Sequence, residues 1–164
     1  MAKAQKTSIG LLTDLHYDGS APAMNRLYEA VSLLNQSGAG ELVVMGDLVN
    51  GNSDLNTRRL LREVAALCES FKGPIHYMPG NHDLDHISKA QFFSGLGRPN
   101  TTATAVLKHE GIDFICLDGN FSPDGTEYNC GNFSWKESYL PDDQLAWLQK
   151  QLDASKAPVV LFTH

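Results

Sequence analysis

Four short stretches of this 164-residue chain carry the side chains that bind cations and move protons. Asp14 and His16 stand two apart just past an apolar run from Thr7 to Thr13. Asp47 follows Gly46 at the end of Glu41 to Met45, and Asn81, His82 and Asp83 follow Gly80 after Ile75 to Met78. Thr163 and His164 close a last apolar run that begins at Pro158. Carboxylate and amide oxygens mixed with imidazole nitrogens suit Mn²⁺, Fe²⁺ or Zn²⁺ better than Ca²⁺. Taken singly, each stretch is weak. An Asp-x-His pair arises often by chance, and an Asp after Gly is usually a turn residue or a helix cap. Taken together they are specific, because each falls at the end of an expected strand. The glycines before Asp47 and Asn81 let the backbone turn sharply, so that the next side chain points back over a sheet.

The elements that must position these residues alternate. After the first strand, Pro22 opens a helix with Leu27, Val31 and Leu34 at helical spacing, closed by Gly38 and Gly40. A second helix from about Asp54 carries Leu60, Leu61, Val64, Leu67, Cys68 and Phe71 on one face, and Lys72-Gly73-Pro74 stops it. Strand, helix, strand, helix, strand predicts right-handed crossovers and a mostly parallel sheet. Ligands of such sheets sit at the carboxyl ends of the strands, where the Asp, Asn and His residues fall.

Downstream, Ser88-Lys89-Ala90-Gln91 has the spacing of a capping box. Thr102 to Lys108 and Ile112 to Leu117 predict a hairpin about Glu110-Gly111. A loop from Gly119 to Leu140 holds Phe121, Tyr128, Phe133, Trp135 and Tyr139. These aromatics either stack on a base or aryl group of a ligand or pack over the sheet edge. Pro141-Asp142-Asp143 then starts an amphipathic helix with Leu145, Leu148 and Leu152 on one face.

The length suits one domain spanning residues 1–164. Nineteen acidic against thirteen basic residues leave a net charge of −6, so a broad cationic surface for long nucleic acid or anionic lipid is excluded. No apolar run approaches the roughly 18 residues of a membrane span, and the first residues lack an apolar signal core. Cys68, Cys116 and Cys130 form no Cys-x-x-Cys pair, and a reducing, cytoplasmic setting is the expectation. His76 and His109 read as ordinary strand or surface residues, Asp118 as a turn cap, and Asp18 and Asp85 as solvated loop acids.

Asp14-Leu15-His16, Gly46-Asp47, Gly80-Asn81-His82-Asp83 and Thr163-His164 together resemble the calcineurin-like metallophosphoesterases, over essentially the whole chain. Within them the chain looks most like the small phosphodiesterases and nucleoside-diphosphate-type hydrolases. The resemblance implies the amino-terminal part of an α/β/β/α sandwich, with helices on the outer face of a mostly parallel sheet. It implies two divalent ions from among Mn, Fe, Zn, Mg, Ni and Co. Asp14 and His16 would bind one, Asp47 both, and Asn81 and His164 the second. His82 would protonate the leaving oxygen or stabilise phosphoryl charge, and Asp83 would hold its loop. The implied substrate is a small phosphomonoester, phosphodiester or nucleotide pyrophosphate. A nuclease of the same family is the enzymatic alternative, which the net charge of −6 disfavours.

Two departures accompany the likeness. Many relatives carry an orienting Asp three residues after the bridging one; here that position is Asn50, whose amide supplies no charge. Asn50, Asp83 and His86 are therefore the candidates for roles behind the ligands or against substrate. The family's downstream Gly-His-x-His motif has no counterpart, and too few elements are expected for the second sheet. The expectation is an incomplete domain that binds metal loosely, turns over weakly or not at all, and self-associates through an uncovered sheet face.

Overall fold

The structure, a computed structural model, describes residues 8–109 and 111–164; Thr7 of the expected first strand and Glu110 of the expected hairpin turn lie outside these. Strand β1 (Ile9–Leu12) leads to helix α1 (Ala21–Ser37), β2 (Glu41–Met45), α2 (Asp54–Cys68) and β3 (Ile75–Met78). Local chemistry sets the helix limits. The Ser20 hydroxyl accepts from the Ala23 amide at the start of α1, and Gly38, at φ 75°, closes it in the left-handed region. Ser53 caps α2 in the same way through the Asn56 amide.

β1, β2 and β3 form a parallel sheet in that order. The strand period of two divides its residues. Leu42, Val44 and Tyr77 pack against Leu27, Val31, Leu60, Leu61 and Val64 of α1 and α2. Ile9, Val43, Met45 and Met78 face the opposite way.

After a short 3₁₀ turn (His82–Leu84), α3 (Lys89–Gly95) carries both hydrogen bonds of the Ser88–Gln91 capping box. β4 (Ala105–His109) and β5 (Ile112–Leu117) pair antiparallel, and α4 (Asp142–Ala154) returns the chain to β6 (Val159–Thr163), parallel to β5. This overturns the expectation of a missing second sheet. β4, β5 and β6 make one, and Ala105, Leu107, Cys116 and Phe162 pack it on Val43 and Met78 of the first. The element count failed because it demanded cover on both faces. A sheet with an antiparallel pair is stable with one face packed and one toward water. α4 buries none of its residues, and Leu145, Leu152 and Leu161, which points away from the face that Phe162 packs on the first sheet, stay exposed on this side. Among the described residues, no helix is long and apolar enough to cross a membrane.

Candidate metal centre

The loops after β1 and β2 run side by side beyond the strands. The Asp14 amide donates to the Gly46 carbonyl (3.1 Å), that of His16 to Asp47 (3.0 Å), and that of Tyr17 to Leu48 (3.0 Å). Asp14, His16 and Asp47 all lie in the left-handed region, with φ of 51°, 42° and 50°. Non-glycine residues adopt it at a cost, and such strain collects where surrounding structure holds a site together. These three strained residues are the ones that converge. One ligand atom from each lies within 4.8 Å of the other two.

The loop after β3 closes on the same point. Buried Asp83 accepts from the amides of Gly80 (2.8 Å) and Val49 (3.0 Å), tying the third loop to the second. Burial pushes its carboxyl up to about 7, against the pull of those amides. The His82 amide donates to Asp47 Oδ1 (2.9 Å). A Cβ on Gly80 would sit 2.2 Å from Asp47 N and Oδ1, so only glycine lets β3 end there. Gly46 is constrained likewise: at φ 76°, its Cβ would lie 2.3 Å from the His164 ring.

β6 delivers His164 from the second sheet, with Nε2 3.4 Å from Asp47 Oδ1. His16 Nε2 approaches the other oxygen, Oδ2, at 3.9 Å. The Asp47 carboxylate thus turns one oxygen toward each histidine. Burial works to raise its pKa, but the His164 hydrogen bond, the His82 amide and the nearby imidazoles of His164 and His82 together hold it below the usual carboxylate range. The same bond to Asp47 pushes His164 up.

Asn81 is half-buried at the head of the 3₁₀ turn, between Gly80 and His82. The exposed His82 ring meets the His16 ring edge-on, with centroids 5.3 Å apart, and its Nδ1 lies 3.1 Å from Asp85 Oδ2. Asn50 is exposed and is held through its backbone amide, which donates to the Tyr17 carbonyl (2.9 Å). His86 is exposed, and no contact among the described residues ties it to the site. Sequence reasoning missed Asp85, although its spacing of three from His82 matches the 3.0-residue turn of a 3₁₀ helix.

The aromatic loop packs rather than waves. Tyr128 is buried and stacks on Phe133 (4.0 Å), and the amides of Cys130 and Gly131 donate to Ile87 and Leu84, behind the third loop. Asp118 accepts from the Asn120 amide, as a turn cap does, and pairs with Lys89 at 2.7 Å. Trp135 alone of these aromatics stands well out of the surface. His76 and His109 hold structure: His76 Nε2 meets the Ala103 carbonyl (2.9 Å) and His109 pairs with Glu41 (2.7 Å).

The donors fit a divalent metal site. They are oxygen and imidazole groups; Asp14, His16 and Asp47 converge past the ends of β1 and β2, His164 reaches Asp47 from β6, and glycines clear the space that a Cβ would fill. No curated protein matches the chain. Among solved structures, a dimetal phosphatase from Danio rerio superposes with a TM-score of 0.75 at 17% identity, covering 96% of this chain and 69% of that one. Yfce, a phosphoesterase from E. coli, is 25% identical over 72% of this chain and 61% of its own, with a TM-score of 0.39. The family model described as calcineurin-like phosphoesterase matches residues 7–164. With that match spanning the sheet-end loops and the sandwich that presents them, this chain belongs to the calcineurin-like phosphoesterase family.

Proposed function

We propose that the chain hydrolyses a small phosphoester, a monoester, a diester or a nucleotide pyrophosphate, with the help of two divalent ions. Asp14, His16 and Asp47 would hold one ion, and Asp47, Asn81 and His164 the other. When bound, such a pair acidifies a water molecule and neutralises charge on the phosphoryl oxygens. Asp47 is the shared ligand in this reading, because its two oxygens face His16 and His164 separately. That arrangement is the observation that carries the proposal. His82, exposed beside the cluster, donates a proton to the departing oxygen. Asp83 keeps the second and third loops at their spacing through its two backbone hydrogen bonds.

The test is turnover of a chromogenic aryl phosphodiester by the purified chain with Mn²⁺, with chelator, and as Asp47→Asn. Metal-dependent turnover that vanishes in the variant supports the proposal; equal rates in all three sink it. His82→Ala should slow turnover by roughly 10²–10⁴-fold while leaving metal content near that of the parent.

A second reading has its own observation. Leu161 of β6 and Leu145 and Leu152 of α4 stay exposed on the outer side of the second sheet, which α4 covers little. Self-association through this face is therefore also proposed. Sedimentation velocity across a concentration series checks it, and a monomer at every concentration would dismiss it.

A further inference from the structure

We infer that Asp85 is a positioning residue for His82, the charged partner that Asn50 does not provide; the inference rests on reading His82 as the proton donor. The geometry fixes the imidazole at three points. Its backbone amide is fastened to Asp47 Oδ1 (2.9 Å), so the residue starts from a set place at the cluster. Its ring edge abuts His16, with centroids 5.3 Å apart at 68°. Its Nδ1 meets Asp85 Oδ2 at 3.1 Å, which fixes rotation about the side chain.

The 3₁₀ turn makes this pairing local. Residues three apart eclipse one another in such a turn, and the Asp85 amide faces the His82 carbonyl at 3.4 Å. Asn50 differs in kind and in place. It is exposed, its amide side chain has no hydrogen-bond partner among the described residues, and it carries no charge.

The chemical consequence follows from which nitrogen keeps its proton. Asp85 accepts from Nδ1–H, so the neutral ring is held in the Nδ1–H form with Nε2 left free. In the reaction, a water oxygen that has given up a proton bonds to phosphorus while the P–O bond to the leaving group breaks, and the leaving oxygen takes its proton from Nε2–H of a ring that carries protons on both nitrogens. The electron pair of that bond stays on the oxygen, and the ring is left neutral with its remaining proton on Nδ1. Asp85 orients the ring before transfer and holds the Nδ1–H tautomer after it. It touches neither substrate nor ion.

The decisive readout needs neither metal nor turnover. Long-range ¹H–¹⁵N correlation spectra of the whole chain report which His82 ring nitrogen carries the proton, assigned by its loss in His82→Gln. The parent should show mainly Nδ1–H. Asp85→Ala should move the ring toward Nε2–H, and Asp85→Asn, whose carbonyl still accepts, should keep Nδ1–H. With Mn²⁺ and an aryl phosphodiester, Asp85→Ala should lower kcat by about tenfold with KM within about twofold, part of the usual range for acid–base catalysis. Asp85→Asn should fall between the two. A His82 tautomer unchanged in Asp85→Ala overturns the inference, as does an unchanged kcat in a parent that turns over. A shifted tautomer in a parent with no turnover overturns the hydrolase reading and leaves the pairing standing.

Discussion

The helix-covered half of the sandwich, α1 and α2 on β1 to β3, excludes water completely at Leu42, Val44, Leu61 and Val64. On the other half, α4 buries no residue, and Leu145 and Leu152 are 43% and 38% exposed. The candidate site residues divide in the same way. The packed half supplies Asp14, His16, Asp47, Asn81 and His82, whose loops are laced together by backbone hydrogen bonds and by buried Asp83. The loose half supplies His164 alone, resting against Gly46 and Asp47. Precision at a metal site comes from the rigidity of what lies behind it. One half of this molecule therefore sets the geometry, and the other closes it.

Substitutions in the two halves should differ most in stability. Leu61→Ala, in the core under β2, should cost about 2–5 kcal/mol. Leu152→Ala on α4 should stay near 0.5 kcal/mol, the range of surface changes. Urea unfolding of both variants measures the contrast, and equal losses would erase the distinction between the halves.

The site itself should respond to Gly80→Ala, whose new methyl would occupy the place of Asp47 N and Oδ1, 2.2 Å away. Mn²⁺ affinity should fall by about 10–100-fold, the cost of disturbing groups that orient ligands. Gly97→Ala, at φ 71° with nothing within 4 Å, is the control for backbone strain without contact. Calorimetric titration of both separates the two causes, and matching losses would deny that contact with Asp47 matters.

Removal of the cap at α3, by Ser88→Ala, should cost about 1 kcal/mol, since that hydroxyl satisfies the Gln91 amide. The helix leads away from the His82 turn, so the loss should leave metal affinity unchanged. A coupled drop in both would show that α3 helps to set the site.

The smallest effect concerns the join between the sheets, where His76 bonds the Ala103 carbonyl. Burial pushes this imidazole below its ordinary value, against the pull of that carbonyl and of Glu41. The unfolded chain, titrating near 6.5, then takes up the proton first. Stability contributed by neutral His76 is full above that value and is lost as pH falls through the depressed one. His76→Gln should flatten the acid side of a melting-temperature profile. A slope unchanged by the substitution would assign it to other groups.

The parallel half was legible because its signals are local. Gly46-Asp47 and Gly80-Asn81 each stand at the end of an apolar run, and Pro22 and Gly38 bracket the first helix. The second sheet was not, because β6 takes its place by pairing with β5 across a helix, and no short-range pattern states that partnership. Asp85 escaped for another reason. A carboxylate in a loop is solvated by default, and only the 3₁₀ geometry of His82–Leu84 brings it under the ring. The left-handed conformations of Asp14, His16 and Asp47 were equally hidden, since they arise from two loops running together.

The central claim is that one carboxylate, Asp47, serves two ions. A crystal of the chain soaked in millimolar Mn²⁺ tests it through anomalous scattering, whatever the affinity. Two peaks are expected about 3.5–4 Å apart, one among Asp14, His16 and Asp47 Oδ2, the other among Asn81, His164 and Asp47 Oδ1. A single peak, or two peaks that do not share Asp47, would contradict it.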